Sequence, residues 1–322
     1  MKILITGGAG YIGAINAKVL RDLGHEVVIL DSLIHGQETR VEGAKFYQGE
    51  TKNIDLVKEI LLQNQIEAVI HFAAFIEAGE SMQNPYKYFD NNTYGSLQLL
   101  QAMIETNVKK LVFSSTAAVY GNPVHLPIKE NDPKMPINAY GESKLMVEKM
   151  LKWFDQIYGL KAICLRYFNA AGAIPEGVLG ECHDPETHLI PNIIKAILED
   201  RQFNLFGNDY ETEDGTCVRD YIHVLDLAQA HVVALQALMN NHASDAYNVG
   251  TGTGYSNKQI LEMIEQVSGQ KVKLNYCPRR EGDPAILVAD SSKLKTEFNW
   301  EPKYSDLQNI IQTAWDWHSK NK

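Results

Sequence analysis

Tyr140 and Lys144, in "YGESK", place a phenol and an ammonium four residues apart. In a helix the two side chains share one face, a single turn apart. Such a pair can move a proton, with the phenol as base and the cation holding it ionised. Free tyrosine titrates near 10, so work as a base near neutral pH requires a drop of roughly 2 to 3 pKa units, about 3 to 4 kcal/mol. A nearby positive charge favours phenolate, and a hydroxyl can hydrogen-bond the reacting oxygen. The segment "SSTA" offers that hydroxyl, with Ser114, Ser115 and Thr116 at the end of an apolar run. A chain of 322 residues with 15 Tyr meets Tyr-x-x-x-Lys by chance, so the pair has meaning only if other elements build a site around it.

Those elements are legible. Strand-like runs stand at "KILIT" (2–6), "EVVIL" (26–30), "AKFYQ" (44–48), "AVIHF" (68–72), "KLVFS" (110–114) and "KAICLRY" (161–167). Helical patterns fill 12–23, 53–64, 85–106 and 140–158. The alternation predicts an α/β fold, a doubly wound parallel sheet of Rossmann type, because continuous apolar strands need cover on both faces. Ligands in such sheets sit at the carboxyl ends of the strands, which is where Thr116 falls. Directly after the first strand, "GGAGYIG" spaces Gly7, Gly10 and Gly13 three apart before a helix that begins near Tyr11. Glycines there let backbone N–H groups and a helix N-terminus approach a pyrophosphate. The second strand ends at Asp31, eighteen positions past Gly13, where a carboxylate accepts from a ribose diol and repels an extra phosphate. NAD is therefore expected rather than NADP, and its positive nicotinamide ring would further favour phenolate at Tyr140.

After Tyr167 the chain turns to long loops rich in Gly, Pro, Asp and Glu, in keeping with a smaller interleaved substrate-binding domain. The helical stretch 224–238 and the short strand "AYNVG" (246–250) read as returning to the main sheet. The expected division is 1–167 plus about 221–250 for the dinucleotide domain, and 168–220 plus about 251–322 for the other. Hydrophobic content of 45% and charged content of 22% exclude disordered and collagen-like classes. A net charge of −10 argues against nucleic acid as partner. The 4 cysteines form no Cys-x-x-Cys pair, and no run reaches the length of a signal core or membrane span, so a cytoplasmic protein is expected.

The glycine loop, the hydroxyl triplet and Tyr-x-x-x-Lys together resemble the extended short-chain dehydrogenase/reductase superfamily. Within it, "HFAAFIEAGESM", "FSSTAAVYGNP", "LRYFNAAGA", "PETHLIP", "DGTCVRDYIHVLDLAQAH" and "YNVGTGTGYSN" resemble the UDP-galactose (UDP-glucose) 4-epimerase family nearly end to end. The resemblance implies that Tyr140 is the base, that Lys144 lowers its pKa and holds the nicotinamide ribose, and that Thr116 relays through a hydrogen bond. It implies NAD contacts at Gly7, Gly10, Tyr11, Ile12, Gly13, Asp31, Glu50, Phe72, Ala73, Asn91, Ser114 and Tyr167. Around the UDP-sugar it implies Asn169, His188, Leu189, Arg219, Arg280 and Asp283. Glu50, Ser32, Ile76 and Ala139 depart from the family's usual residues. Alanines at 117 and 118 stand where sugar dehydratases carry carboxylates, which argues against dehydration. Epimerases of UDP-glucuronate or UDP-N-acetylhexosamines, and a non-enzymatic NAD-binding sensor, are the competing readings. No metal is expected, since Cys182, His183 and His188 lack a second Cys/His group nearby. A homodimer is implied through two helices, one carrying Leu97, Leu100, Met103 and Ile104 and the other Met146, Met150, Phe154 and Ile157.

Overall fold

The computed structural model describes residues 1–175, 177–183, 185–279 and 283–321. Seven parallel strands form the main sheet: β1 (Lys2–Thr6), β2 (Glu26–Asp31), β3 (Lys45–Gln48), β4 (Ala68–His71), β5 (Lys110–Thr116), β6 (Lys161–Tyr167) and, after two short strands and a longer one described below, β10 (Asp245–Val249). Their order across the sheet is β10-β6-β5-β4-β1-β2-β3. Alternation along β1 sends Ile3 and Ile5 into one core and Leu4 into the other. The first core is closed by helices Tyr11–Asp22 and Val224–Met239, the second by Ile54–Gln63, Gly95–Glu105 and Ala139–Tyr158. The expected doubly wound sheet is thus present, with a crevice at the switch between β1 and β4.

The remaining strands build a smaller layer. β9 (Val218–His223) pairs with β7 (Asn169–Ala171), β11 (Gly254–Ser256) and β13 (Ile286–Leu287), while β8 (Phe203–Phe206) pairs with β12 (Leu274–Cys277). β9 crosses the expected junction at 220/221 and joins this smaller sheet rather than the large one. A third core of Ile190, Ile193, Ile194, Ile260, Ile264, Ile310 and Ile311 holds it together. Among the described residues, no helix is long and apolar enough to cross a membrane.

One expected helix differs. The span 85–106 divides into Pro85–Tyr88, a π-helical turn Phe89–Tyr94 and Gly95–Glu105. The widened turn lets Asn92 reach out of the helix. Its amide accepts from Phe75 N–H at 2.9 Å and donates to Phe75 C=O at 2.9 Å and to Ser143 Oγ at 3.1 Å. Those bonds fix the helix of Tyr140 against the loop after β4, a placement that periodicity does not register.

A buried ion pair performs a similar task on the other side. Arg166 donates to both oxygens of Glu148, Nε at 2.9 Å and Nη2 at 2.6 Å, and Ser115 Oγ donates to the same carboxylate at 2.6 Å. Helix Ala139–Tyr158 is thereby tied to the carboxyl ends of β5 and β6. Arg166→Met leaves the Glu148 charge unpaired and is expected to destabilise the fold by about 3 to 5 kcal/mol. Urea unfolding checks this, and Glu148→Met added to that variant should recover much of the loss.

Candidate active site

The glycine loop sits as the sequence demands. Gly7 adopts φ +69, and a Cβ on Gly13 would lie 2.2 Å from the Gly7 carbonyl oxygen, so neither position tolerates a side chain. Gly10 caps helix Tyr11–Asp22 without any side-chain acceptor, leaving first-turn N–H groups directed at the crevice. Asp31, only 7% exposed, accepts from Ala9 N–H at 2.9 Å and from Leu33 N–H at 2.8 Å. It therefore braces the glycine loop while standing on the cavity wall. Gly13→Ala should weaken dinucleotide binding 10- to 100-fold, matching roughly 1 to 3 kcal/mol of overpacking. Fluorescence titration with NADH reads this, and unchanged affinity would show that the loop does not bind the cofactor.

From that loop a cavity of about 380 Å³ runs along the carboxyl ends of the strands. Of the residues expected at the cofactor, Gly7, Gly10, Tyr11, Ile12, Gly13, Asp31, Glu50, Phe72, Ala73, Asn91, Tyr140 and Tyr167 line it. Thr116, Asn169, His188 and Leu189 line the same cavity. Ser114 and Lys144 stand behind the wall, with Ser114 Oγ 2.5 Å from Tyr167 OH. Arg219 and Asp283 pair with each other at 2.9 Å, on strand β9 and the segment before β13, apart from the lining residues. Arg280 lies outside the described residues. Glu50 is engaged at 2.9 Å by Lys52, which also bonds Asp90.

Helix Ala139–Tyr158 starts at Asn138, whose side chain accepts from Gly141 N–H at 2.8 Å. That cap puts Tyr140 in the first turn and Lys144 one turn deeper. Burial raises the pKa of the Tyr140 phenol, Tyr167 and Glu77 add to the rise, and a hydrogen bond with Thr116 opposes it. Lys144 is 3% exposed, donates to the Ser114 carbonyl at 2.9 Å, and is pushed by burial down to about 7. In the protein alone, burial opposes the charged form of both groups.

The sequence reading gave Glu77 no role. It lies on the cavity wall, and Tyr88 OH donates to its backbone carbonyl at 2.7 Å. The quoted block "HFAAFIEAGESM" contains it, without a spacing that singles it out. Glu181 and His183 also line the cavity, while Cys182 is exposed.

The residues fit a dinucleotide, since the cradle excludes side chains, an uncapped helix points at it and a carboxylate ends β2. Comparison with known proteins agrees. Residues 3–250 match the NAD dependent epimerase/dehydratase family. The UDP-glucose 4-epimerase of Lactobacillus helveticus is 50% identical over 100% of this chain and 98% of its own length. That of Lacticaseibacillus casei is 48% identical, with 100% and 98% covered. A crystal structure of UDP-glucose 4-epimerase from Brucella ovis in complex with NAD superposes with a TM-score of 0.96 at 43% identity, covering 98% of this chain and 97% of that one. With the family match spanning residues 3–250 and identities of 48% and 50% along the whole chain, the chain belongs to the NAD dependent epimerase/dehydratase family.

Proposed function

We infer that the chain interconverts UDP-glucose and UDP-galactose by reversible oxidation at carbon 4 of the sugar, with NAD as resident cofactor. The observation that carries this reading is that Tyr140 and Thr116 share one cavity with the glycine cradle, backed by the buried Lys144. NAD supplies a reversible hydride acceptor when bound. Gly7, Gly10, Tyr11, Ile12 and Gly13 would hold its pyrophosphate and Asp31 its adenosine ribose. Tyr140 takes the proton of the 4-hydroxyl as hydride leaves carbon 4, which gives a ketone. Once the keto sugar has turned over and been reduced on its opposite face, Tyr140 would give the proton back to the same oxygen. Thr116 hydrogen-bonds the reacting oxygen, and Lys144 holds the ribose beside it. The cycle has no net redox change, so the cofactor need not leave. Asn169, His188 and Leu189 make up the UDP-sugar side of the cavity, with the Arg219–Asp283 pair beyond its lining.

Anomeric proton NMR of UDP-galactose mixed with purified protein tests the reading directly. Growth of UDP-glucose signals without added cofactor supports it. No conversion even after NAD is supplied would sink it.

A homodimer belongs to the same proposal. Leu100 and Met103 are buried, and Met150, Phe154 and Ile104 pack against the second core, so part of the expected stripe is interior. Leu97, Met146, Trp153 and Ile157 instead remain 36%, 37%, 62% and 65% exposed on the two neighbouring helices. These are the side chains a second copy would cover. Light scattering at micromolar concentration should give twice the 36.2 kDa chain mass, and Trp153→Glu should halve it. A monomeric parent protein would end this part of the proposal.

A further inference from the structure

The segment 181–188, which leads into helix Leu189–Leu198, gathers Glu181, His183, Glu186 and His188, each offering one ligand atom, all within 4.8 Å of one another. His183 Nδ1 lies 3.2 Å from Glu181 Oε1 and 3.8 Å from Glu186 Oε1. His188 Nδ1 lies 3.8 Å from the same Glu186 oxygen and contacts Glu181 Oε1. The two carboxylate side chains are only 5% and 4% exposed. His183 Nδ1 is sealed from solvent and makes no hydrogen bond, despite the nearby oxygen. Counting only cysteines and histidines in the sequence misses this cluster, because half of its donors are carboxylates and Cys182 points away from burial.

We propose that these four side chains bind one divalent first-row metal ion, with zinc the best match. Two neutral imidazoles and two carboxylates carry a charge of minus two, which a divalent ion cancels; the carboxylates are almost fully buried, where unpaired charge is costly, while the His188 side chain is 45% exposed. Tetrahedral zinc with bonds near 2.1 Å holds its donors about 3.4 Å apart. The separations of 3.2 and 3.8 Å straddle that value, and the shorter direct contact between His188 and Glu181 must open to admit the ion. Imidazole nitrogen with carboxylate oxygen suits zinc better than magnesium or calcium, which prefer oxygen alone.

The ligands are also oriented from outside. Glu186 Oε1 accepts from the N–H groups of Thr187 at 2.9 Å and His188 at 3.0 Å, and Lys195 stands 3.9 Å from its other oxygen. The Glu181 backbone carbonyl accepts from Trp317 Nε1 at 2.8 Å. Outer bonds of this kind hold metal ligands in place. The role of the ion is structural. It fixes the start of helix Leu189–Leu198, and the His183 ring meets Tyr11 edge-on at 6.4 Å, beside the glycine cradle. Proton and hydride transfer at carbon 4 make no demand on it.

The test uses the full chain, stripped with a chelator and then supplied with zinc or cobalt. Mass spectrometric metal analysis should find one zinc per chain after desalting, and zinc should raise the melting temperature by on the order of 5 °C. Cobalt should give visible d–d absorption that His183→Ala abolishes while far-ultraviolet circular dichroism stays native. If that variant fails to fold, the wild-type cobalt spectrum decides. No visible band, less than a tenth of an equivalent of zinc retained, or equal metal retention by a folded His183→Ala protein each overturns the site. The first two outcomes would mean that protonated histidines simply pair with the carboxylates.

Discussion

Tyr140→Phe should lose turnover by about 10²- to 10⁴-fold, the range spanned by a single positioned acid or base, while bound NAD is retained. The substitution removes one oxygen and leaves the ring, the Asn138 cap and Lys144 in place. No other described side chain offers a phenol or carboxylate with a hydrogen bond to Thr116 in this cavity; Tyr167 is nearest in kind, but its hydroxyl is committed to Ser114 and burial pushes it up to about 12. The pH profile carries the same signature. Because the phenol must be deprotonated to accept, and because burial raises its pKa, activity should fall as pH falls through the value that the loaded site imposes. Anomeric NMR rates together with dinucleotide content per chain check the prediction. Full activity in the variant would mean that a different group takes the proton.

Lys144→Met should stop turnover and, in cofactor-free protein, raise stability at neutral and lower pH. Burial holds this ammonium at about 7 against an ordinary 10.5, so the unfolded chain binds the proton more tightly than the folded one. Each tenfold difference in proton affinity is worth about 1.4 kcal/mol. Below about pH 7 the lysine is charged in both states and the folded state bears the whole desolvation cost. Between 7 and 10.5 only the unfolded chain still holds the proton, and stability of the wild type rises with pH. Methionine removes the charge but leaves the Ser114 carbonyl without its donor, which returns about 1 to 3 kcal/mol of the gain. The net expectation is a variant more stable by roughly 1 to 3 kcal/mol at pH 6, with the advantage shrinking toward pH 10. Thermal melts across that range decide it. A variant that melts lower than wild type at pH 6, or by the same difference at every pH, contradicts a buried, weakened cation. The activity loss follows from the reverse logic, since once anionic groups occupy the cavity the charge on Lys144 becomes useful.

These two residues show why a destabilising arrangement persists. A buried lysine that meets one backbone carbonyl and the Phe113 ring still bears a desolvation cost, and a phenol raised by burial is a poor base. Under the proposed mechanism, the bound cofactor and substrate would supply the charges that correct each. The same cavity without ligand is therefore under electrostatic tension, in keeping with the tendency of functional sites to hold perturbed groups.

The sequence by itself determined the large sheet and the placing of a phenol and an ammonium on one helix face. Continuous apolar runs such as "AVIH" leave no alternative to burial on both faces, and β1 and β6 fall on their expected residues. Gly7, Gly10 and Gly13 between a strand and a helix point to a phosphate cradle, and at Gly7 and Gly13 no side chain fits. Tyr140 and Lys144 share a face because a helix turns once in about 3.6 residues. Only the tertiary structure decided what those groups experience. Local spacing carries no measure of desolvation, so it could not tell that Lys144 is weakened or that Tyr140 is raised. Nor could it find Asn92 reaching through a π turn to Ser143, or Glu148 bound to Arg166 across two elements. Glu181 and Glu186 join two histidines only because a segment without regular structure folds back on itself. Periodicity records which face of an element is buried, whereas charge, hydrogen bonding and metal chemistry depend on which distant residues burial brings together.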